Sequence, residues 1–436
     1  MKKFIIAACV GVLLLFAWNQ AYYRLGIYVD LRPHAPVTTF VTTEEKSICM
    51  KQDEEYAPFE IRGVDMGTGV PGAWAADYAV DKETYLKWFE QIQRLGANTI
   101  RVYTILDSDF YNAFYEYNKN RREPLYLLHG IWVNDYITNS HRDAYDEELF
   151  GTLQDDCQTV VDIIHGKRTV SLGEGVGSGT YRRDISDWVI GYIVGVEWEP
   201  GLVLYTNQTN EENNTYSGRY LYTTQEASPF EAMLCQVGDK MIAYESKRYK
   251  QQRLIAFSNW PTTDPFAYPA VVSNYRQKVA CVDVEHIGSS DAYQSGMFAS
   301  YHVYPYYPNY LGTMQETAAL SEKEIEMSMG AEEKKYWDYR ISLMNAPRIE
   351  SYIETGGKQA SSGQKNTYLP YLKALNRYHT IPVVISEYGV TTGRGMAQVD
   401  QNTGRNQGHM TEQEQGQALI ACYQDIMEAG CAGSCV

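Results

Sequence analysis

Two glutamates close runs of β-forming residues: Glu197 in VIGYIVGVEWEP (189–200) and Glu387 in TIPVVISEYGV (380–390). Strand side chains alternate, so Ile193, Gly195, Glu197 and Glu199 are expected on one face of the first run, and Val383, Ile385 and Glu387 on one face of the second. A carboxylate in so apolar a strand is costly unless it sits at the wet end or meets a partner. Two of them, each ending a strand, suit cleavage of a glycosidic bond. One carboxyl protonates the leaving oxygen while the other attacks or activates water. A plainer reading, one reactive and one structural Glu, stays open. Arg101 in NTIRVY (98–103) alternates with Thr99 and Tyr103. An inward guanidinium needs a carboxylate, and Glu387 is the expected partner, kept ionised by the pairing. His302 and Tyr304 in ASYHVYP (299–305) share a face, although His302 alone would read as a core histidine. Trp260 in FSNWP (257–261) offers a flat ring for a sugar. Asp283, Glu285 and His286 in VDVEHI (282–287) form a rival cluster whose spacing fits no metal motif well.

Strand-like runs recur at 59–66, 98–104, 125–133, 189–197, 254–260, 298–304 and 381–387, with helical stretches between them. That order indicates βαβ units and a parallel sheet. In the first crossover Asp81 caps a helix whose stripe is Tyr85, Trp88 or Phe89, Ile92 and Leu95, and Gly96 ends it. Further helices are expected over 369–378 and 412–428. The connections 134–187, 201–252 and 305–380 are long, and each follows a strand, on the side where a parallel barrel builds its site. The Gly/Ser-rich stretch 171–180 reads as a loop tip. The fold class is α/β, a (β/α)8 TIM barrel with long insertions in its βα loops. An eighth strand begins near Cys431, so its unit is expected to be truncated at Val436.

The 436 residues are 44% hydrophobic and 21% charged, enough for a sizeable core. A formal charge of −16 argues against nucleic acid as a partner and against a polybasic grip on lipid. Membrane contact is expected only through the N-terminus, where Lys2 and Lys3 precede an apolar run at 4–18. Residues 1–21 read as a signal peptide or an N-terminal membrane anchor, both of which place the protein outside the cell or on its surface. Residues 22–58, with Pro33 and Pro36, read as a linker with room for one strand, and 59–436 as the catalytic domain. The 37 tyrosines suit a sugar-binding surface or serve as ordinary filler. The eight cysteines include no C-x-x-C pair and no neighbouring His cluster, so no zinc site is expected. No cofactor is expected either.

Taken together, these residues resemble the (β/α)8 glycoside hydrolases of clan A, which include family 2 glycosidase barrels and β-glucanosyltransferases. The resemblance runs from about Phe59 to the end of the chain. It is carried by FEIRGVD (59–65), by Arg101, by Gly191 with Glu197 six residues on, by His302 and Tyr304, and by ISEYG (385–389). It implies a retaining enzyme acting on a β-linked extracellular poly- or oligosaccharide, with Glu197 as acid/base, Glu387 as nucleophile, and Arg101, His302 and Tyr304 at the substrate, where the Trp260 ring would add a stacking face. Val196 stands where the clan has Asn, which makes Glu199, followed by Pro200, a competitor for the acid/base role. A transglycosylase using the same two glutamates and a barrel that binds glycan without cleaving it are the alternatives.

Overall fold

Asp81 accepts a hydrogen bond from the Thr84 amide at 2.8 Å and starts helix α1 (Lys82–Arg94), which buries Tyr85, Phe89 and Ile92. That crossover joins strands β1 (Ile61–Met66) and β2 (Thr99–Val102). The computed structural model describes residues 2–133, 143–171, 177–268, 278–305, 346–352, 366, 368–390 and 408–436. The same pattern continues through β3 (Tyr126–Ile131), β4 (Val189–Val194), β5 (Leu254–Asn259), β6 (Ala299–His302), β7 (Val383–Glu387) and β8 (Gly433–Cys435). Every neighbouring pair is parallel, and the eight strands close into a barrel. Around it lie α2 (Ser108–Asn118), α3 (Glu147–Ile164), α4 (Pro200–Thr209), α5 (Pro229–Tyr249), α6 (Tyr368–Tyr378) and α7 (Glu412–Glu428).

The eighth strand, expected to be cut short, spans three residues and completes the ring. Gly433 pairs with Val384 on one side and Ile61 on the other. Two glycines make this approach possible. A Cβ on Gly433 would lie 2.4 Å from the Ile61 carbonyl, and one on Gly63 would lie 2.3 Å from Cys435 Sγ. Of the Gly/Ser-rich tip, 172–176 lies outside the described residues, while Arg168–Val170 and Gly179–Tyr181 pair as a hairpin at its base. Most of the 305–380 connection also lies outside them.

One reading needs correction. The stretch 22–58, read as a linker, holds a three-stranded antiparallel sheet, Val41–Glu44, Ser47–Gln52 and Glu55–Pro58. It sends Val41, Ile48 and Met50 into a cluster with Leu128, Ile193, Leu254 and Val384 from inside the barrel, and so seals the floor. Its turns are built from charged residues, with Glu45 and Asp53 at positive φ. Those charges made short strands look like a polar tether.

Part of the tyrosine excess serves the core. Tyr85, Tyr111, Tyr181, Tyr301, Tyr368 and Tyr371 are fully buried. Another buried network ties β4 and β5 to α3 and α5. Glu245 accepts from Arg253 Nε at 2.8 Å, is bonded to His165 Nε2 at 2.9 Å, and accepts from the Tyr192 hydroxyl at 3.0 Å. Burial pushes the Glu245 carboxyl up, but Arg253 and His165 outweigh it and bring it down to about 2. Its stabilising effect is therefore complete above the usual value of 4.5 and is lost as pH falls toward about 2. Glu245→Ala strands Arg253 in the core and is expected to cost about 3–5 kcal/mol, read as a fall in the denaturation midpoint at neutral pH. An unchanged midpoint would mean that the network adds nothing to stability.

Candidate active site

Arg101 is the centre of the mouth. It projects inward from β2 and is only 3% exposed. Its Nη1 donates to Asp65 Oδ1 on β1 at 3.1 Å and to Glu387 Oε2 on β7 at 3.2 Å, and its Nη2 donates to His302 Nε2 on β6 at 3.1 Å. The Tyr103 ring lies 4.5 Å from the guanidinium carbon. Because a guanidinium only donates, His302 Nε2 must accept, which leaves the imidazole hydrogen on Nδ1. That nitrogen faces two carboxylates, Glu197 Oε1 at 3.2 Å and Glu387 Oε2 at 3.4 Å. The Tyr304 hydroxyl donates to the other oxygen of Glu387. Burial pushes the Glu387 carboxyl up, but His302, Arg101 and Tyr304 together hold it below the ordinary range.

Simple alternation predicts the right mouth residues but the wrong route to them. On β7, Val383 and Ile385 pack into the outer core, whereas Val384 joins the cluster inside the barrel. Glu387 still reaches the mouth because the ladder slips there. Tyr301 faces Ile385 while His302 faces Glu387, so Ser386 is an extra residue on β7. Such a bulge re-aims the next side chain.

The β4 end is corrected in a similar way. Strand β4 stops at Val194, and Gly195 takes φ +101° over the Trp198 ring, where a Cβ would clash at 2.2 Å. Past this turn Glu197 and Glu199 no longer share a face. Glu197 is 39% exposed and bonded to His302. Glu199 caps α4, its Oε2 accepting from the Leu202 amide at 2.8 Å. Glu199→Ala is therefore expected to cost about 1 kcal/mol of stability, as loss of a cap does, and to leave turnover nearly unchanged. Paired denaturation and rate measurements check this; a collapse of turnover with stability kept would hand Glu199 the acid/base role.

Trp260 follows β5, and its Nε1 donates to the Trp198 carbonyl at 2.9 Å, so the indole is tied to the turn that carries Glu197. Val196 is buried in the apolar cluster outside the strands and offers nothing to a ligand. The rival cluster proves to be a brace. The Asp283 amide donates to Glu231 Oε1 at 2.6 Å, His286 Nδ1 lies 2.9 Å from Glu231 Oε2, and Glu285 accepts from the Thr380 amide at 2.9 Å. Burial pulls the His286 imidazole down, but Glu231 and Asp283 lift it to about 9. Among the described residues, the set close enough to hold a metal ion is Glu197, His302 and Glu387, with ligand atoms within 4.8 Å of one another. Arg101 already supplies a positive charge there.

Sequence reasoning overlooked Asp65. It is buried, and its Oδ2 has no hydrogen-bond partner among the described residues. Burial and the Glu387 charge raise its carboxyl, Arg101 opposes them, and it settles at about 7. The signal was present: Asp65 is a carboxylate one residue from the end of β1, much as Glu387 closes β7.

No protein-family model matches the chain, and no curated protein does. Similar solved structures exist. A Bacteroides uniformis β-glucuronidase matches 90% of this chain at 9% identity with a TM-score of 0.43. The chain spans about a third of that protein, 32% of its length. An endo-1,4-β-mannanase from Rhizomucor miehei matches 91% of this chain and 89% of its own, at 13% identity and a TM-score of 0.43. A Formosa endo-laminarinase matches 86% and 76%, at 13% identity and a TM-score of 0.40. The barrel assignment itself rests on the closed ring of strands.

Proposed function

We propose that the protein is a retaining glycoside hydrolase that cleaves β-linked carbohydrate by double displacement. One observation carries this reading: oxygens of Glu197 and Glu387 lie within 4.8 Å of each other, both bridged by His302 Nδ1. So short a range between one oxygen of each carboxyl suits retention, whose carboxyls stand about 5–5.5 Å apart, better than inversion, which leaves about 6.5–9.5 Å for a water. Glu387, held anionic by Arg101, His302 and Tyr304, attacks the anomeric carbon, and the glycosidic C–O bond breaks as a glycosyl ester forms. Glu197 gives its proton to the leaving oxygen. It then takes a proton from water, whose oxygen displaces Glu387 and restores the starting state. The Nδ1–H bond to Glu197 Oε1 leaves the second oxygen to carry that proton. With a sugar hydroxyl in place of water, the same steps give transglycosylation. The N-terminal apolar segment supports action outside the cell.

The test is the anomer first released from aryl β-glycosides, followed by proton NMR. The expected product keeps the β configuration. An α product would replace double displacement with inversion, and glycan binding without turnover would leave a carbohydrate-binding barrel.

A further inference from the structure

Residues 2–31 display an apolar surface that the barrel does not cover. The helix Lys2–Asn19 buries none of its residues, and it runs on through the helical turn Gln20–Arg24. Within the 23 residues from Lys2 to Arg24, an 18-residue window reaches a mean hydropathy of 2.0. Its length is about 30 Å, the thickness of a bilayer core. Lys2 and Lys3 stand at one end, and Trp18, Tyr22 and Tyr23 form a ring cluster at the other. Charge at one end and an aromatic belt at the other are what a spanning helix needs.

The chain beyond the helix is fastened to the barrel. Arg182 Nη2 donates to Asn19 Oδ1 at 3.0 Å and its guanidinium covers the Tyr23 ring. Past the helix the segment alternates. Gly26, Tyr28 and Asp30 meet the barrel: Arg248 donates to the Gly26 carbonyl at 2.9 Å and covers the Tyr28 ring, and Lys250 donates to Asp30 at 2.8 Å. Leu25, Ile27, Val29 and Leu31 between them are 71%, 53%, 64% and 85% exposed. Four large apolar side chains in a row, continuous with an apolar helix, are a surface awaiting an apolar phase.

The place of this stripe sets an orientation. Arg248 and Lys250 close α5, and the barrel helices run back against the strands. Their last turns lie at the floor, opposite the mouth that holds Glu197 and Glu387. Arg182, held to Asn19 and Tyr23, is an exposed cation at the helix end, whereas the floor sheet carries the exposed acids Glu44, Glu45, Asp53, Glu54 and Glu55. We propose that the helix is a retained membrane anchor and that the 25–31 stripe lies in the headgroup layer of the same bilayer, so that the barrel rests floor-down with its mouth turned away from the lipid. This placement does not depend on what the mouth catalyses.

The test uses the full chain reconstituted in phosphatidylcholine–phosphatidylglycerol vesicles, with Cys9→Ser and a single fluorophore on either Leu31→Cys or Trp74→Cys. Trp74, 82% exposed, lies in the loop after β1 on the mouth side. Lipid-borne spin labels are expected to quench the Leu31 probe several-fold more than the Trp74 probe. Ile27→Asp with Val29→Asp should abolish the Leu31 quenching while the chain stays in the vesicle fraction. Equal, weak quenching at both sites would show a barrel standing off the bilayer, and stronger quenching at Trp74 would show the mouth facing it. A mature chain whose intact mass lacks residues 1–24 would remove the anchor. Each of these three outcomes overturns the proposal.

Discussion

Glu387→Ala should lose turnover by about 10⁴-fold or more, and added azide should not restore a product of retained configuration. In the proposed mechanism the glycosyl ester forms on this carboxylate, so without it the first displacement has no nucleophile. Glu197→Ala should behave differently. With an activated leaving group the first step needs little protonation, so the glycosyl–enzyme still forms and then stalls. General acid–base catalysis is worth roughly 10²–10⁴-fold, which bounds the loss on substrates with poor leaving groups. Azide needs no deprotonation, so it should release a glycosyl azide of retained configuration from this variant. The two side chains sit on one imidazole, His302, which lies 3.2 Å from Glu197 and 3.4 Å from Glu387. Identical behaviour of the two variants would refute the division of labour.

Arg101→Met should destabilise the protein strongly, and its cost should depend on pH. Removing the cation leaves Asp65 and Glu387 buried without it, a loss of about 3–5 kcal/mol. Asp65 makes the effect titrate. Its carboxyl is raised to about 7 in the folded protein from an ordinary 3.8, so its protonated form is favoured by folding. That contribution is complete below the ordinary value and is lost as pH rises through about 7. At pH 5 Asp65 holds its proton and tolerates the missing guanidinium, whereas at pH 8 it must either ionise beside Glu387 or keep a proton that the unfolded chain has released, and both cost stability. Tyr103 and Cys435 are the other titratable groups that feel this charge, and both are pushed up by burial. The midpoint of thermal unfolding should therefore fall further at pH 8 than at pH 5. Asp65→Asn should recover part of the difference at pH 8 and change little at pH 5. A loss independent of pH would mean that Asp65 is ionised throughout.

Much of this arrangement is readable from residue types. An arginine in an apolar strand has few ways to exist, and a glutamate ending another strand is one of them, so the pairing of Arg101 with Glu387 follows from cost alone. Alternation works until the backbone departs from it. The extra residue Ser386 and the left-handed Gly195 both lie where a strand meets the mouth, and neither leaves a periodic trace. Glu199 shows the same limit, since its carboxylate is spent on the Leu202 amide, a bond that depends on where a helix begins. The floor sheet was hidden for another reason. Its strands are four to six residues long and separated by charged turns, so composition outweighed pattern.

The closing strand has a kinetic consequence. Arg101 stands on β2 and Glu387 on β7, 286 positions apart, and the seam made by β8 lies between them. Closing so long a loop carries an entropy cost that only late contacts recover. The ion pair at the centre of the mouth is therefore expected to assemble late, as β8 zips to β7 and β1. On dilution from denaturant, helical signal should return first and activity last, the lag between them timing the closure of the ring. Gly63→Ala, which crowds Cys435 at the seam, should lengthen that lag far more than it slows the return of helix.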